Sequence, residues 1–218
     1  MVLRSSAVTY LRIRKWGLAN FYRMAERQRI YNQPAFILHQ RSYSETSLLM
    51  DVFSRNHGRL ALIAKGTKKK KSRTRGILLP FQPLVVAWSG AGEVKTLIGA
   101  ETHLPRILLR REALFCGYYI NELILRMLHR SDPHETLFDA YKQTLAALAE
   151  DTDLERTLRI FEKRLLQNIG YGLHLVKDPQ SGEEIQASEI YRYLLDTGPV
   201  IGVIAGTSEI QVHGESLQ

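Results

Sequence analysis

The 218-residue sequence predicts an α+β protein: a small β-barrel, then an α-helical domain, then a short irregular or extended C-terminal segment. Three observations carry this reading. Five short apolar runs, punctuated by glycine and proline, lie between residues 34 and 104. Apolar residues then recur every three or four positions across residues 105–172, the period of helices with one buried face. Over 173–218 that periodicity fades, and residues 190–204 read as extended and partly buried.

Residues 1–33 stand apart in composition, with seven basic residues against one acidic. They suit a basic N-terminal extension, a weakly amphipathic helix, or sequence upstream of an internal start at Met24. Strand character begins after Pro34. Residues Ala35 to His39 and Ser47 to Phe53 are the first two strands, and Gly58 turns the chain into a third from Arg59 to Ala64. Leu78-Leu-Pro-Phe-Gln-Pro83 interrupts regular structure, because proline cannot donate to a sheet ladder. Residues Leu84 to Trp88 and Glu93 to Ile98 flank Ser89-Gly-Ala-Gly92, a glycine-rich hairpin turn. Five strands within roughly seventy residues argue a closed or nearly closed barrel, for which an OB-fold is the natural form. An SH3-like barrel would show the same periodicity.

Pro105 marks the change to helix. The series from Ile107 through Leu114, Tyr118 and Ile124 to Leu128 predicts one long amphipathic helix. Asp132-Pro-His-Glu135 places a capping residue, a proline at the first helical position and a glutamate three beyond the cap, opening a second helix to about Ala149. Thr152-Asp-Leu-Glu155 is another capping box, and Gly170 or Gly172 ends the helix that it starts. Asp178-Pro-Gln-Ser-Gly182 reads as a turn.

The composition narrows the function. One cysteine, Cys116, excludes an intrachain disulfide and a cysteine-based zinc site, and its apolar neighbours mark it as a small buried residue. No apolar run of about eighteen residues exists to span a membrane as a helix. The net charge of +8 is unevenly spread: +6 over residues 1–33, +8 over 34–100 and −6 over 101–218. Between Asp51 and Glu93 there is no acidic residue but nine basic ones, densest from Lys65 through Lys68, Lys69, Lys70 and Lys71 to Arg73 and Arg75. Such a run repels itself and favours an exposed loop. Phosphates suit it, since each one neutralised releases condensed counterions; the plain alternative is a solvated surface loop.

No catalytic constellation is evident. The histidines are scattered, Gly90 and Gly92 lie between strands and not at a helix start, and Glu183-Glu184 fits a charged turn. Tyr43, Phe53, Phe81 and Trp88 are aromatic candidates for base stacking near the basic loop, with Tyr43, beside Arg41 in a polar stretch, the most exposed of them. Barrel aromatics are more often core. No metal, cofactor or catalytic residue is expected.

The residues from Ala35 to Phe53 resemble the first strands of the bacterial recombination mediator family RecO. Gly58 to Gly66, Leu79 to Leu84 and Gly92 to Leu97 also match that family, in order. So do Gly117-Tyr-Tyr-Ile-Asn-Glu-Leu123 and Asn168-Ile-Gly-Tyr-Gly172 of the helical domain. The resemblance covers about residues 34–204. It implies an OB fold over 34–104 and a helical domain over 105–172, in a cytoplasmic, nucleoid-associated bacterial protein without bond-cleaving activity. It further implies binding of single- and double-stranded DNA, annealing of complementary strands, and partnership with RecR and single-strand-binding protein in loading recombinase. The DNA-contacting positions it suggests are Arg41, Arg59, Lys65, Lys68, Lys69, Lys70, Lys71, Arg73 and Arg75. Many relatives carry a four-cysteine zinc module after the helical domain. Residues 173–200 hold no cysteine, so the chain resembles the zinc-free branch seen in gamma-proteobacteria, with Tyr191-Arg-Tyr193 in the corresponding region. The family also leads one to expect a further basic helical segment beyond Gln218. An RNA-binding OB protein with no recombination role is the alternative function.

Overall fold

The computed structural model describes residues 29–217, apart from 68–71, 73, 75, 151, 173–174, 195–196 and 203–209. Strands β1 (Arg29–Ser42), β2 (Leu48–Ser54), β3 (Gly58–Ala64), β4 (Leu84–Ser89) and β5 (Val94–Thr102) close into a barrel in the order β1-β2-β3-β5-β4. The β3–β5 pair is parallel and the other neighbours are antiparallel. This circuit is the five-stranded Greek-key barrel of the OB type, which settles the choice that periodicity left open. Alternate residues point inward, so Ile37, Met50, Val52, Leu62, Val86 and Trp88 fill the interior.

β1 begins at Arg29, earlier than the expected start after Pro34. Arg29 pairs with Ser89 and Gln33 with Val86, so the polar stretch before Pro34 forms part of the barrel wall. The strand is long because it serves two neighbours: its first half lies on β4 and its second half on β2.

Helices α1 (Arg111–Met127), α2 (Glu135–Glu150) and α3 (Leu154–Asn168) follow. α1 starts later than Pro105, because Ile107 instead donates its backbone N–H to the Phe81 carbonyl at 3.3 Å. The expected cap Asp132 instead places its Oδ2 3.2 Å from His134 Nε2, and α2 opens at Glu135. At α3 the capping group is Asp153 and not Thr152: its Oδ1 accepts the Arg156 N–H at 3.0 Å. Gly170, at φ +87, ends α3 with the Tyr171 N–H bonded to the Leu166 carbonyl at 2.8 Å. Cys116 is half-buried, more open than its neighbours suggested.

The chain divides into two compact units, residues 1–161 and 162–218. Within the first, the helices pack on the barrel's outer face. The rings of Phe36 and Phe53 lie 5.5 and 5.4 Å from Phe138, and 5.2 and 6.0 Å from Tyr141. Each such side chain stabilises the fold by roughly 1.5–3 kcal/mol through burial alone. Polar groups fix the angle of docking. β1 bulges at Leu38, between the Ile37 and His39 pairings with β2. The Leu38 carbonyl accepts Asn121 Nδ2–H at 2.9 Å, and Asn121 Oδ1 accepts the Tyr141 hydroxyl at 2.6 Å. Gly117 matters beside it, since a Cβ there would collide with Leu109 and press on the Phe81 ring.

In the second unit β6 (Ile190–Leu194) is the centre of a three-stranded sheet between β7 (Gly198–Ile201) and β8 (Ile210–His213). Ile185, Tyr191 and Leu217 form its small core. The Asp178 carboxylate ties this unit together, accepting backbone N–H bonds from Gln180 (2.7 Å), Ser181 (3.3 Å) and Ile201 (3.0 Å). Burial alone would raise its pKa, but those bonds outweigh burial and hold it below the ordinary aspartate value. A group depressed on folding adds stability that is complete above its unfolded pKa and lost as pH falls through the folded one. The Ile201 amide resonance should therefore titrate with a midpoint below 3.8, the ordinary aspartate value. Asp178→Ala should abolish that titration and speed exchange of the Ile201 and Gln180 amides by about tenfold or more, the loss of roughly 1.5 kcal/mol or more of hydrogen bonding.

Candidate nucleic-acid interface

Ser42, Leu48 and Ala64 form the last rung of the β1–β2–β3 ladder. Beyond it the chain leaves as the 43–47 loop and as the 65–83 connection, so both emerge from one end of the barrel. Loop 43–47 is tight: the Tyr43 N–H reaches the Ser47 carbonyl at 3.1 Å, and Tyr43 as a whole is 63% exposed. Arg41 is exposed one rung in, opposite Leu49, which in turn pairs with Ile63. Lys65 is exposed directly after β3.

The connection is anchored on both sides of its basic run. On one side buried Thr67 donates its hydroxyl to the Ala64 carbonyl at 3.2 Å. On the other, the Ile77 and Leu78 N–H groups both reach the Thr74 carbonyl at 3.2 Å, and Leu78 closes the barrel core. Phe81, held at φ +61, stacks edge-on against Tyr118 of α1 at 5.2 Å. Lys68, Lys69, Lys70, Lys71, Arg73 and Arg75 lie outside the described residues.

Arg41, Tyr43 and Lys65 thus sit at the end of the barrel from which the basic loop springs. Arg59 does not share their exposure. Its Nη1 donates to the Leu125 carbonyl in the last turn of α1 at 2.8 Å, where a cation also suits the helix dipole. Its carbonyl accepts the Ser131 N–H at 2.9 Å, and its Nε is buried. Arg55, also in the acid-free stretch, forks onto Asp139 (3.0 and 3.2 Å) and pairs with Glu135 (2.6 Å) of α2. These two arginines fasten the barrel to the helices. Three of the four aromatic candidates are likewise structural: Phe53, Phe81 and Trp88 are buried, and Tyr43 remains open to a base.

The sequence reading passed over a second basic group near the β4–β5 hairpin. Lys95 is half-buried, and its Nζ donates to the Gly92 carbonyl at 3.2 Å. Burial, then the nearby positive charge of Arg130, lower its pKa. His57 stands edge-on to Trp88 at 5.2 Å; burial, then Lys95, lower its pKa as well. Arg130 reaches Asp51 Oδ1 at 3.4 Å. Only their meeting in space marks them, because they come from three separate segments.

Among the described residues no helix is long and apolar enough to cross a membrane. Comparison with known proteins bears on the whole arrangement. Residues 27–106 match the family model for the recombination protein O N terminal, and 108–204 match that for its C terminal. The first match begins near the observed start of β1. A DNA repair protein RecO of Azoarcus sp. (strain BH72) is 48% identical over 176 residues, covering 81% of this chain and 72% of that protein. One from Nitrosospira multiformis is 46% identical over 175 residues, 80% of this chain and 72% of that protein. One from Methylococcus capsulatus is 44% identical over 195 residues, 89% and 79% of the two chains. With an OB-type barrel, helices and a strand-containing C-terminal segment in the order that both family models span, the chain belongs to the RecO family of DNA repair proteins.

Proposed function

We propose that this chain is a recombination mediator that holds single- and double-stranded DNA, anneals complementary strands, and, with RecR, helps load recombinase on strands coated by single-strand-binding protein. The observation that carries the reading is the rooting of the 65–83 connection, with its acid-free basic run, beside Arg41, Tyr43 and Lys65 on a barrel of the oligonucleotide-binding type. In this reading Arg41, Lys65, Lys68, Lys69, Lys70, Lys71, Arg73 and Arg75 hold phosphates and Tyr43 offers a stacking face. Arg59 acts from behind by holding α1 against the barrel. Cations between two strands lower their mutual repulsion, which lets bases pair without the protein reading sequence.

The test is the salt dependence of single-stranded DNA affinity, for the wild type and for a variant with Lys68, Lys69, Lys70 and Lys71 changed to alanine. Each lost phosphate contact flattens the log–log slope by about 0.7, so the variant should lose roughly two to three units. An unchanged slope at normal affinity would remove the loop from the interface. Equal competition by RNA of the same length would argue for the RNA-binding alternative.

A further inference from the structure

We infer that His57, Lys95 and Arg130 form a second oxyanion subsite, placed to take a backbone phosphate of the nucleic acid away from the basic loop. The assignment to nucleic acid rests on the DNA-binding reading above; the subsite itself rests on geometry. His57 immediately precedes β3, whereas Lys65 follows it, so the two basic groups flank that strand's opposite ends. His57 and Lys95 line a hollow of about 180 Å³ with Trp88, Gly90, Ser131 and Pro133. Trp88 and Pro133 form apolar walls, which strengthen any charge interaction inside the hollow.

Lys95 lines the hollow, and no carboxylate among the described residues does. Arg130, next in the chain to the lining residue Ser131, pairs with Asp51 at 3.4 Å. Asp132 is engaged by His134. Glu93 is exposed in the hairpin, while Lys95 turns to the neutral Gly92 carbonyl. Lys95 therefore keeps a half-desolvated positive charge that feels Arg130 and acts on His57 in the same hollow. Burial and the charge of Arg130 both disfavour the positive charge of Lys95 there, and a bound anion would offset both. A phosphate would do so, accepting from Lys95 and Arg130 and raising the affinity of His57 for a proton.

Inorganic phosphate, titrated into the full chain at constant ionic strength while the His57 ring is followed by NMR, tests the subsite directly. We expect a saturable upward shift of the His57 titration midpoint, abolished in Lys95→Met and weakened in Arg130→Ala, with the melting temperature of both variants near that of the wild type. The double variant should also flatten the single-stranded DNA salt slope by about 1.4, from two contacts at about 0.7 each, in addition to the effect of the loop variant. A His57 midpoint indifferent to phosphate overturns the subsite, whatever the loop variant shows. A phosphate response with an unaltered DNA slope overturns its assignment to nucleic acid. If the wild type binds no DNA, the function proposed above fails, while a phosphate response abolished by Lys95→Met still supports the oxyanion subsite.

Discussion

Replacing Gly58 with alanine is expected to lower stability by about 3 kcal/mol or more, among the larger effects of a single methyl group. Two independent costs combine. Gly58 sits at φ +63, a conformation that costs an L-residue roughly 1–2 kcal/mol. Its added Cβ would also land on the backbone carbonyl of Asp132, which no side-chain rotation can move aside. Relief requires the 131–132 segment to withdraw from the barrel, and that strains the Ser131-to-Arg59 bond and the Arg59 grip on α1. At about 2–4 °C per kcal/mol for a chain of this size, the melting temperature should fall by roughly 6–12 °C. Gly76→Ala is the matched control: nothing lies within 4 Å of its Cβ position, so a change within about 0.5 kcal/mol is expected. Equal effects at the two glycines would show that neither the positive φ nor the contact with Asp132 sets the cost.

Asn121→Ala should cost about 2–4 kcal/mol, again far more than its few atoms suggest. The substitution leaves two buried groups without their partner: the Leu38 carbonyl exposed by the β1 bulge, and the Tyr141 hydroxyl, which burial keeps protonated. Tyr141→Phe removes the hydroxyl with its bond and should cost about 1–2 kcal/mol, because only Asn121 Oδ1 is then orphaned. In a double-mutant cycle the two changes should be strongly non-additive, coupled by at least about 0.5 kcal/mol. Additive losses in urea unfolding would instead mean that the three groups do not act as one network.

The features that local chemistry controls were legible in the sequence. Five strands, the Gly58 turn, the 89–92 hairpin, three helices and the Gly170 stop follow from alternation, periodicity and turn residues. What escaped depends on partners distant in the chain. The start of β1 at Arg29 is set by β4, which supplies ladder partners to a stretch that is mostly polar. The cap of α3 moved from Thr152 to its neighbour Asp153, a choice between two competent oxygens that spacing alone does not decide. Arg59 reads as a cation awaiting a phosphate until the carbonyl of Leu125, far along the chain, is seen in its path. For the same reason Lys95, His57 and Arg130 left no local signature. Gly117 and Asn121, parts of a family motif, acquire physical roles only in the fold: one leaves room for Leu109 and Phe81, the other satisfies a bulge.

Anchoring the basic run at Thr67 and Leu78 has a consequence for footprint. A chain tethered at both ends cannot cast its charges arbitrarily far. With at most about 3.6 Å gained per residue, no residue between those anchors can travel more than roughly 20 Å from the nearer one. Along one strand of a duplex, at about 3.4 Å per step, that reach corresponds to roughly six nucleotides on either side. Under the proposed function, the occluded length of DNA should therefore follow the length of this connection: deleting residues from it would shrink the footprint, and neutral insertions would widen it without adding a single cation.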